Sequence, residues 1–557
     1  MIMNQASSLF EKHKPMLDAA IAAISERNYY TPYPESPRAY AEDADANGKS
    51  YFQALLNNNF SELVQSGERA FIGEEVSPFL QLGLGITYPA FSPEQLISTA
   101  KTAQKQWSKV SVEERTGLLI ETLEQIKTRF FDIAYATMHT TGQGFIMSFQ
   151  ASGPHANDRA LEAITMGYME LTRFPHEVMW VKNMGKFDVK IRKNWKAMPK
   201  GIGMVIGCST FPTWNTVPGM FADLITGNTV IVKPHPKAIL PIAIVVAEMQ
   251  KVLKNNGYDP NIVQLAVDTV SQPITKQLAE DENVKLVDFT GSSSFGNYVE
   301  GLKNKEVFTE KAGVNSVLLD SAENLDAVIQ NLAFSVSLYS KQMCTAPQNI
   351  YISKDGVKTP EGIVAYDDVV DKLVEAIKAI VNNPKMGAGT LGGIQADATI
   401  QRVQTAAGAG GRMVLASVKV ANPEFENART ASPSIIEVSV DQKDVYLTEC
   451  FGPVVFVIKT NNSQQSLELI KESASTHGAI TCLAYATDDT FKATIEDEMN
   501  SVFTPVSFNF TGAIFVNQHA AFSDFHVSGG NPSGNASFTN PDYINRRFVW
   551  VGNRFGV

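Results

Sequence analysis

Between residues 201 and 310, short apolar runs at 203–207, 229–233, 262–267 and 284–289 alternate with helix-compatible stretches. That period predicts a parallel, doubly wound α/β sheet, a form that binds ligands beyond the carboxyl ends of its strands. A second stretch of the same kind runs from about 315 to 485, with strands expected near Val317, Ile350, Val454 and Leu483. Two α/β units with a cleft between them follow. Upstream, Ser92-Pro93-Glu94-Gln95 reads as a helix start, and Leu118, Leu119, Leu123 and Ile126 repeat at helical spacing, with helices dominating to about Leu171. From Trp180 to Met198 the pattern switches to alternation, with Asn183-Met184-Gly185 as the turn of a hairpin. The final run, Arg546 to Gly552, supplies another strand. A projecting hairpin and a chain-terminal strand suit an oligomer-forming unit, and pairing within one chain fits the pattern equally well. Residues 1–85 combine an amphipathic helix with the Pro-rich aromatic stretch Tyr29-Tyr30-Thr31-Pro32-Tyr33-Pro34, which predicts an extended, wrapping segment rather than core.

Composition narrows the partners. At 557 residues the chain exceeds one ordinary core and has room for a cofactor and a substrate together. A net charge of −11, without clustered Lys and Arg, argues against nucleic acid and anionic membrane. Four cysteines, Cys208, Cys344, Cys450 and Cys482, give no disulfide framework and no metal-ligand spacing, so a reducing compartment and no metal are expected. The N-terminal apolar run is broken by Asp18 and does not read as a secretory signal, and no uncharged stretch is long enough to span a bilayer. A cytoplasmic location is the expectation.

The candidate chemistry centres on Tyr339-Ser340-Lys341-Gln342-Met343-Cys344-Thr345-Ala346-Pro347, a turn between a helix-like and a strand-like run. A thiol there is exposed at an element end yet held by the scaffold, which suits a nucleophile; a buried, inert cysteine is the alternative. The string Gly387-Ala388-Gly389-Thr390-Leu391-Gly392 spells a dinucleotide fingerprint but follows no strand, and is read as a loop. Phe289-Thr290-Gly291-Ser292 does follow a strand and open a helix, so its amides can face a pyrophosphate. Lys233 ends the strand of an earlier repeat, where a cation can serve a ribose or phosphate. Asn215, in a loop after a strand, offers the neutral donor that an oxyanion site uses. Glu310 follows an apolar strand, and burial there would raise its pKa toward that of a general base.

Taken in order, Trp214-Asn215, Lys233-Pro234, Phe289-Thr290-Gly291-Ser292, Glu310-x-x-Gly313, Gln342-x-Cys344 and Glu449-Cys450-Phe451-Gly452-Pro453 resemble the aldehyde dehydrogenase superfamily, from about Ser92 to the C-terminus. The spacing of 34 from Glu310 to Cys344 is also the family's. The resemblance implies an α/β fold with two doubly wound parallel-sheet domains and a small β oligomerisation hairpin. On that frame, 1–85 is an N-terminal extension, 86–179 with 197–309 the dinucleotide-binding domain, 310–505 the catalytic domain, and 180–196 with 506–557 oligomerisation or bridging segments. It further implies Cys344 as nucleophile, Asn215 with the Cys344 amide as oxyanion site, and Glu310 as the base that activates water. Trp214, Lys233, Gly291, Ser292, Glu449 and Phe451 are the implied cofactor contacts, for NADP or NAD, and a homodimer or homotetramer is expected.

Departures are visible. Glu310-Lys311-Ala312-Gly313-Val314 stands where the family has Glu-Leu-Gly-Gly-Lys, and Pro212-Thr213-Trp214-Asn215 where it has Pro-Trp-Asn. The stretch Gly529 to Gly534 is only loosely similar to the family's glycine-rich C-terminal motif. With the N-terminal extension and Cys-Thr-Ala-Pro-Gln, these features resemble the PaaN-type branch of phenylacetate degradation. The expected activity is oxidation of an aldehyde, an open-chain and CoA-linked semialdehyde among the candidates, to a carboxylic acid. A CoA-acylating enzyme and a catalytically silent homologue are the alternatives. Cys208, Cys450 and Cys482 are expected to be dispensable. Lys233-Pro234-His235-Pro236-Lys237 lacks the carboxylate that repels a 2′-phosphate, so NADP is expected to serve at least as well as NAD.

Overall fold

The computed structural model describes residues 2–556 apart from 66, 68, 69, 407, 518, 520 and 523–526, with backbone alone for 2–7. The helix start at Ser92 forms as its residue types require. The Ser92 hydroxyl accepts from the Gln95 amide at 3.3 Å, while the Gln95 side chain accepts from the Ser92 amide at 3.0 Å. This capping box, with Pro93 at the first helical position, satisfies donors that the helix Pro93–Trp107 would otherwise leave bare. Its buried face of Leu96, Ile97, Ala100, Ala103 and Trp107 packs toward the first sheet.

Among the described residues that sheet has five parallel strands, ordered Val263–Leu265, Thr229–Lys233, Ile202–Ile206, Val284–Gly291, Glu306–Lys311. The order reverses direction between Ile202–Ile206 and Val284–Gly291, so a crevice opens at their carboxyl ends. The periodicity located four of these strands. The fifth, Glu306–Lys311, contains Glu310, so that residue lies within a strand rather than after one.

The second unit holds the strand order Arg412–Leu415, Ser434–Ser439, Val454–Thr460, Asn349–Ser353, Ser316–Leu319, Cys482–Tyr485, Val506–Phe508. All pair in parallel except the first, which is antiparallel to its neighbour. Buried Val317, Ile350, Val455 and Leu483 fill one face beneath helices Leu325–Ser337 and Tyr366–Val381.

The hairpin strands Glu177–Asn183 and Asp188–Pro199 pair antiparallel, and Phe548–Gly556 joins the outer side of Asp188–Pro199 within the same chain. Met179, Val181, Phe187, Val549 and Val551 stand exposed on this arm. Arg547, fully buried at its root, ties the C-terminal strand to the first unit. Its guanidinium lies 2.5 Å from Asp223 and 2.6 Å from Asp288.

The N-terminal residues do more than wrap. Helix Ile2–Glu26 lies on Val112–Lys127, and Leu17, Ala20, Tyr33, Phe52 and Phe60 are buried in the main core. Of the aromatic stretch expected to stay outside the core, Tyr33 enters it, edge-on to Phe130, while Tyr29 stays exposed; Tyr40, just beyond the stretch, packs on Phe130 and Phe149. The glycine string at 387 is a short helix, Gly387–Leu391, rather than a loop. No helix among the described residues is long and apolar enough to cross a membrane.

Candidate active site

Cys344 follows a backbone segment that L-residues avoid. Tyr339, Ser340 and Lys341 have φ of 51°, 49° and 56°, three successive left-handed residues that are not glycine. Each costs about 1–2 kcal/mol relative to the right-handed form. Side chains hold the run in place. Tyr339 Oη donates to Thr141 O at 2.7 Å, and Ser340 Oγ lies 2.9 Å from Leu391 O and 3.0 Å from Ala431 O. Lys341 Nζ donates to Cys450 O at 3.1 Å, and Gln342 Nε2 to Gly393 O at 3.0 Å. The tight reversal delivers Cys344 to a cavity wall between Leu325–Ser337 and Asn349–Ser353.

Asn215 lies in the first turn of helix Pro212–Ile225, rather than in a loop, directly after Ile202–Ile206. Its Nδ2 donates to both oxygens of Glu310 at 3.3 Å. The Cys344 thiol is also hydrogen-bonded to the Glu310 carboxylate. Burial, then that carboxylate, hold the Cys344 thiol well above its usual range, so the resting sulfur is protonated. Glu310 itself is fixed by a crossing segment. Lys311 N donates to Ser533 O at 2.6 Å, Thr309 N to Asn535 Oδ1 at 2.8 Å, and Gly534 bridges to Glu310. A Cβ on Gly534, whose φ is +129°, would lie 1.9 Å from Thr309 O, so this close crossing requires glycine.

Cys344, Asn215 and Trp214 line a cavity of about 900 Å³ whose walls carry Phe145, Phe211 and Phe334. Asn215, Trp214 and Glu310 also border a smaller void beside Ile206, Phe289 and Thr290, at the carboxyl ends of the first sheet. The reacting groups therefore stand between a roomy apolar cavity and the crevice of the doubly wound unit.

Gly291 ends the strand Val284–Gly291, and Ser292 caps the helix Ser293–Glu300, its hydroxyl accepting from Phe295 N at 3.5 Å. Lys233 is buried and paired with Asp268 at 2.6 Å, and its Nζ also donates to Pro234 O at 2.7 Å. Its ammonium is thus already partnered within the protein. His235 is pushed down to about 4, first by burial and then by Lys233 and Lys237, so it carries no charge at neutral pH. Beyond Lys233, that leaves Lys237 as the positive charge of the 233–237 segment. Glu449 lies near Lys341 and Arg402, its carboxyl raised by burial, and Arg402 Nη1 donates to Phe451 O.

The sequence assigns no role to Lys341 or Arg402, and Cys208, expected to be dispensable, touches the site. Cys208 is not remote: its thiol donates to Asn215 Oδ1 at 3.5 Å, and Thr210 Oγ1 donates to its sulfur at 3.9 Å. Cys208 precedes Asn215 by seven positions, across the strand-to-helix turn. An apolar-run reading of 203–208 hides that contact.

Comparison with known proteins adds the following. A family model described as "Aldehyde dehydrogenase family" matches residues 90–502. The solved structure of an NAD-dependent aldehyde dehydrogenase from Burkholderia multivorans superposes with a TM-score of 0.96, at 42% identity over 99% of both chains. Among curated proteins, 1-pyrroline-5-carboxylate dehydrogenase 1 of Halalkalibacterium halodurans is 23% identical over 68% of this chain and 70% of its own length. The alpha-ketoglutaric semialdehyde dehydrogenase of Bacillus subtilis is 22% identical over 68% of this chain and 74% of its own.

Proposed function

Because the chain belongs to the aldehyde dehydrogenase family and is thereby an NAD(P)-dependent enzyme, we propose that Cys344, Asn215 and Glu310 oxidise an aldehyde to a carboxylic acid. The observation that carries this reading is the shared carboxylate: one buried Glu310 holds both the Cys344 thiol and the Asn215 amide at the wall of the large cavity. Glu310 takes the thiol proton as the sulfur attacks the aldehyde carbon, and the Asn215 amide, with the Cys344 backbone amide, stabilises the oxyanion. A bound nicotinamide supplies the hydride acceptor. Once Glu310 has passed the thiol proton to solvent, its carboxylate deprotonates the water that cleaves the thioester left on Cys344, and the Cys344 sulfur leaves and is reprotonated. The crevice fits the cofactor: Gly291 and Ser292 open a helix there, and the Glu449 carboxylate has no hydrogen-bond partner among the described residues.

Replacing Cys344 with Ala should abolish turnover while the affinity for cofactor, measured by fluorescence titration, stays unchanged. Retained turnover would refute the role. Glu310 favours water over coenzyme A as acyl acceptor, so in Glu310→Gln, where the thiol loses its proton to solvent instead, one equivalent of reduced cofactor should be released before turnover stalls. Sustained turnover at the wild-type rate would point to another base or to another acceptor such as coenzyme A.

The finer reading is an aldehyde with an apolar body, the semialdehydes of phenylacetate breakdown included, and NADP used at least as well as NAD. The cofactor part rests on Pro236 standing where a repelling carboxylate is usual and on Lys237 beside it. The ratio of kcat/KM for the two cofactors with one aldehyde tests it, and Pro236→Glu should move the ratio toward NAD.

A further inference from the structure

We propose, building on the aldehyde-oxidising reading above, that the N-terminal segment completes the substrate cavity and that Glu35 and His155 select aldehydes bearing a hydroxyl on an otherwise apolar body. Glu35 and His155 line the same cavity as Cys344. His155 Nε2 lies 2.8 Å from Glu35 Oε1, and this hydrogen bond holds the Glu35 carboxyl below its usual range, so it is ionised at neutral pH. Among the described residues its second oxygen has no partner, which leaves an acceptor at the cavity wall. The His155 ring stacks on His519, 4.0 Å away and 6° from parallel. His519 also lines the cavity; its Nε2 meets Asp158 at 3.4 Å, and its Nδ1 has no hydrogen-bond partner among the described residues.

The segment carrying Glu35 is anchored. Thr31 Oγ1 donates to Asp158 Oδ1 at 2.8 Å, and Tyr33 is fully buried edge-on to Phe130. Arg159, one turn along the same helix from His155, also lines the cavity, but its guanidinium is engaged there, 3.3 Å from Glu162 and over the Trp214 and Phe538 rings. Lys385 and Glu424, of opposite sign, border the cavity from other segments. A neutral hydroxyl satisfies both waiting groups: it donates to the Glu35 oxygen and either donates to or accepts from His519 Nδ1, whichever tautomer is present. A terminal carboxylate would face Glu35 with like charge, and a plain alkyl end would displace water from the second Glu35 oxygen and offer it no donor in return.

Three aldehydes of one chain length decide the matter: hexanal, 6-hydroxyhexanal and 6-oxohexanoate, compared by kcat/KM with one cofactor. The wild type should favour 6-hydroxyhexanal by about tenfold or more over each of the others, a modest share of what a hydrogen-bonding pocket can achieve. In Glu35→Leu the hydroxyl preference should fall to within about twofold. In the milder Glu35→Gln the discrimination against 6-oxohexanoate should weaken. Equal use of hexanal and 6-hydroxyhexanal, a preference for 6-oxohexanoate, or a preference that survives Glu35→Leu would overturn the proposal. Failure of the underlying activity shows differently, as no cofactor reduction with any aldehyde. The cavity is then read directly, by protection of Cys344 from iodoacetamide: 1,6-hexanediol should protect better than 1-hexanol in the wild type and no better in Glu35→Leu, and equal protection by the two in the wild type would overturn the selection.

Discussion

At the scale of single residues the site is a relay of neighbours around one carboxylate. Cys208, read from sequence as dispensable, directs its thiol to Asn215 Oδ1 and so keeps Nδ2 turned toward Glu310. Burial raises the Cys208 pKa, so the donor stays protonated. Cys208→Ala should lower kcat by about threefold to tenfold, the worth of one neutral hydrogen bond, and Cys208→Ser should restore it, with cofactor affinity unaltered in both. Glu310 has two opposing effects on the nucleophile. Its charge raises the Cys344 pKa, so Glu310→Gln should lower that pKa and speed alkylation by iodoacetamide near neutral pH, even as aldehyde turnover stalls. A pH profile of alkylation that does not move would show that burial alone sets the thiol. The residue types were legible in the sequence because Cys, Asn and Glu stood at ordered spacings beside strand ends. Cys208 supports Asn215 from within the same strand-to-helix turn, where it reads only as the end of an apolar run, and the Asp268 that holds Lys233 comes from a separate loop that no local pattern announces.

At the scale of elements, the left-handed run before Cys344 is paid for by its side-chain anchors. Ser340→Ala removes the hydroxyl that faces Leu391 O and Ala431 O, and should destabilise the fold by about 1–2 kcal/mol in denaturant titration, leaving a buried carbonyl unmatched. Lys341 adds a pH signature. Burial pushes its amine down to about 8 from 10.5. Between those pH values the unfolded chain binds more protons than the folded one, so stability contributed by this group rises as pH increases from 8 to 10.5. Unfolding midpoints of Lys341→Met should lack that rise relative to the wild type. The alternation of strand and helix was readable because each buried parallel strand is a short apolar run. The left-handed turn was not, since Tyr, Ser and Lys carry no local preference for positive φ and adopt it only where distant carbonyls receive their side chains.

At the scale of the whole molecule the C-terminal strand is both arm and anchor. The exposed apolar residues of the arm suit an interface between copies, which we propose as the basis of a homodimer or homotetramer. Removing residues 549–557, which spares Arg547, should lower the mass measured by light scattering, and an unchanged mass would clear the arm of that role. Arg547→Met is a different experiment. It strands Asp223 and Asp288 in the interior, and should cost about 3–5 kcal/mol of stability. The crossing of residues 531–536 over Glu310 has a consequence in time. A ribosome emits the chain from its amino end at about 5–20 residues per second, and the nucleophile and its base leave it long before the segment that pins Glu310. The nascent chain therefore carries its thiol without an aligned base until residues 531–536 have emerged, so a polypeptide stopped before them should have no turnover of its own.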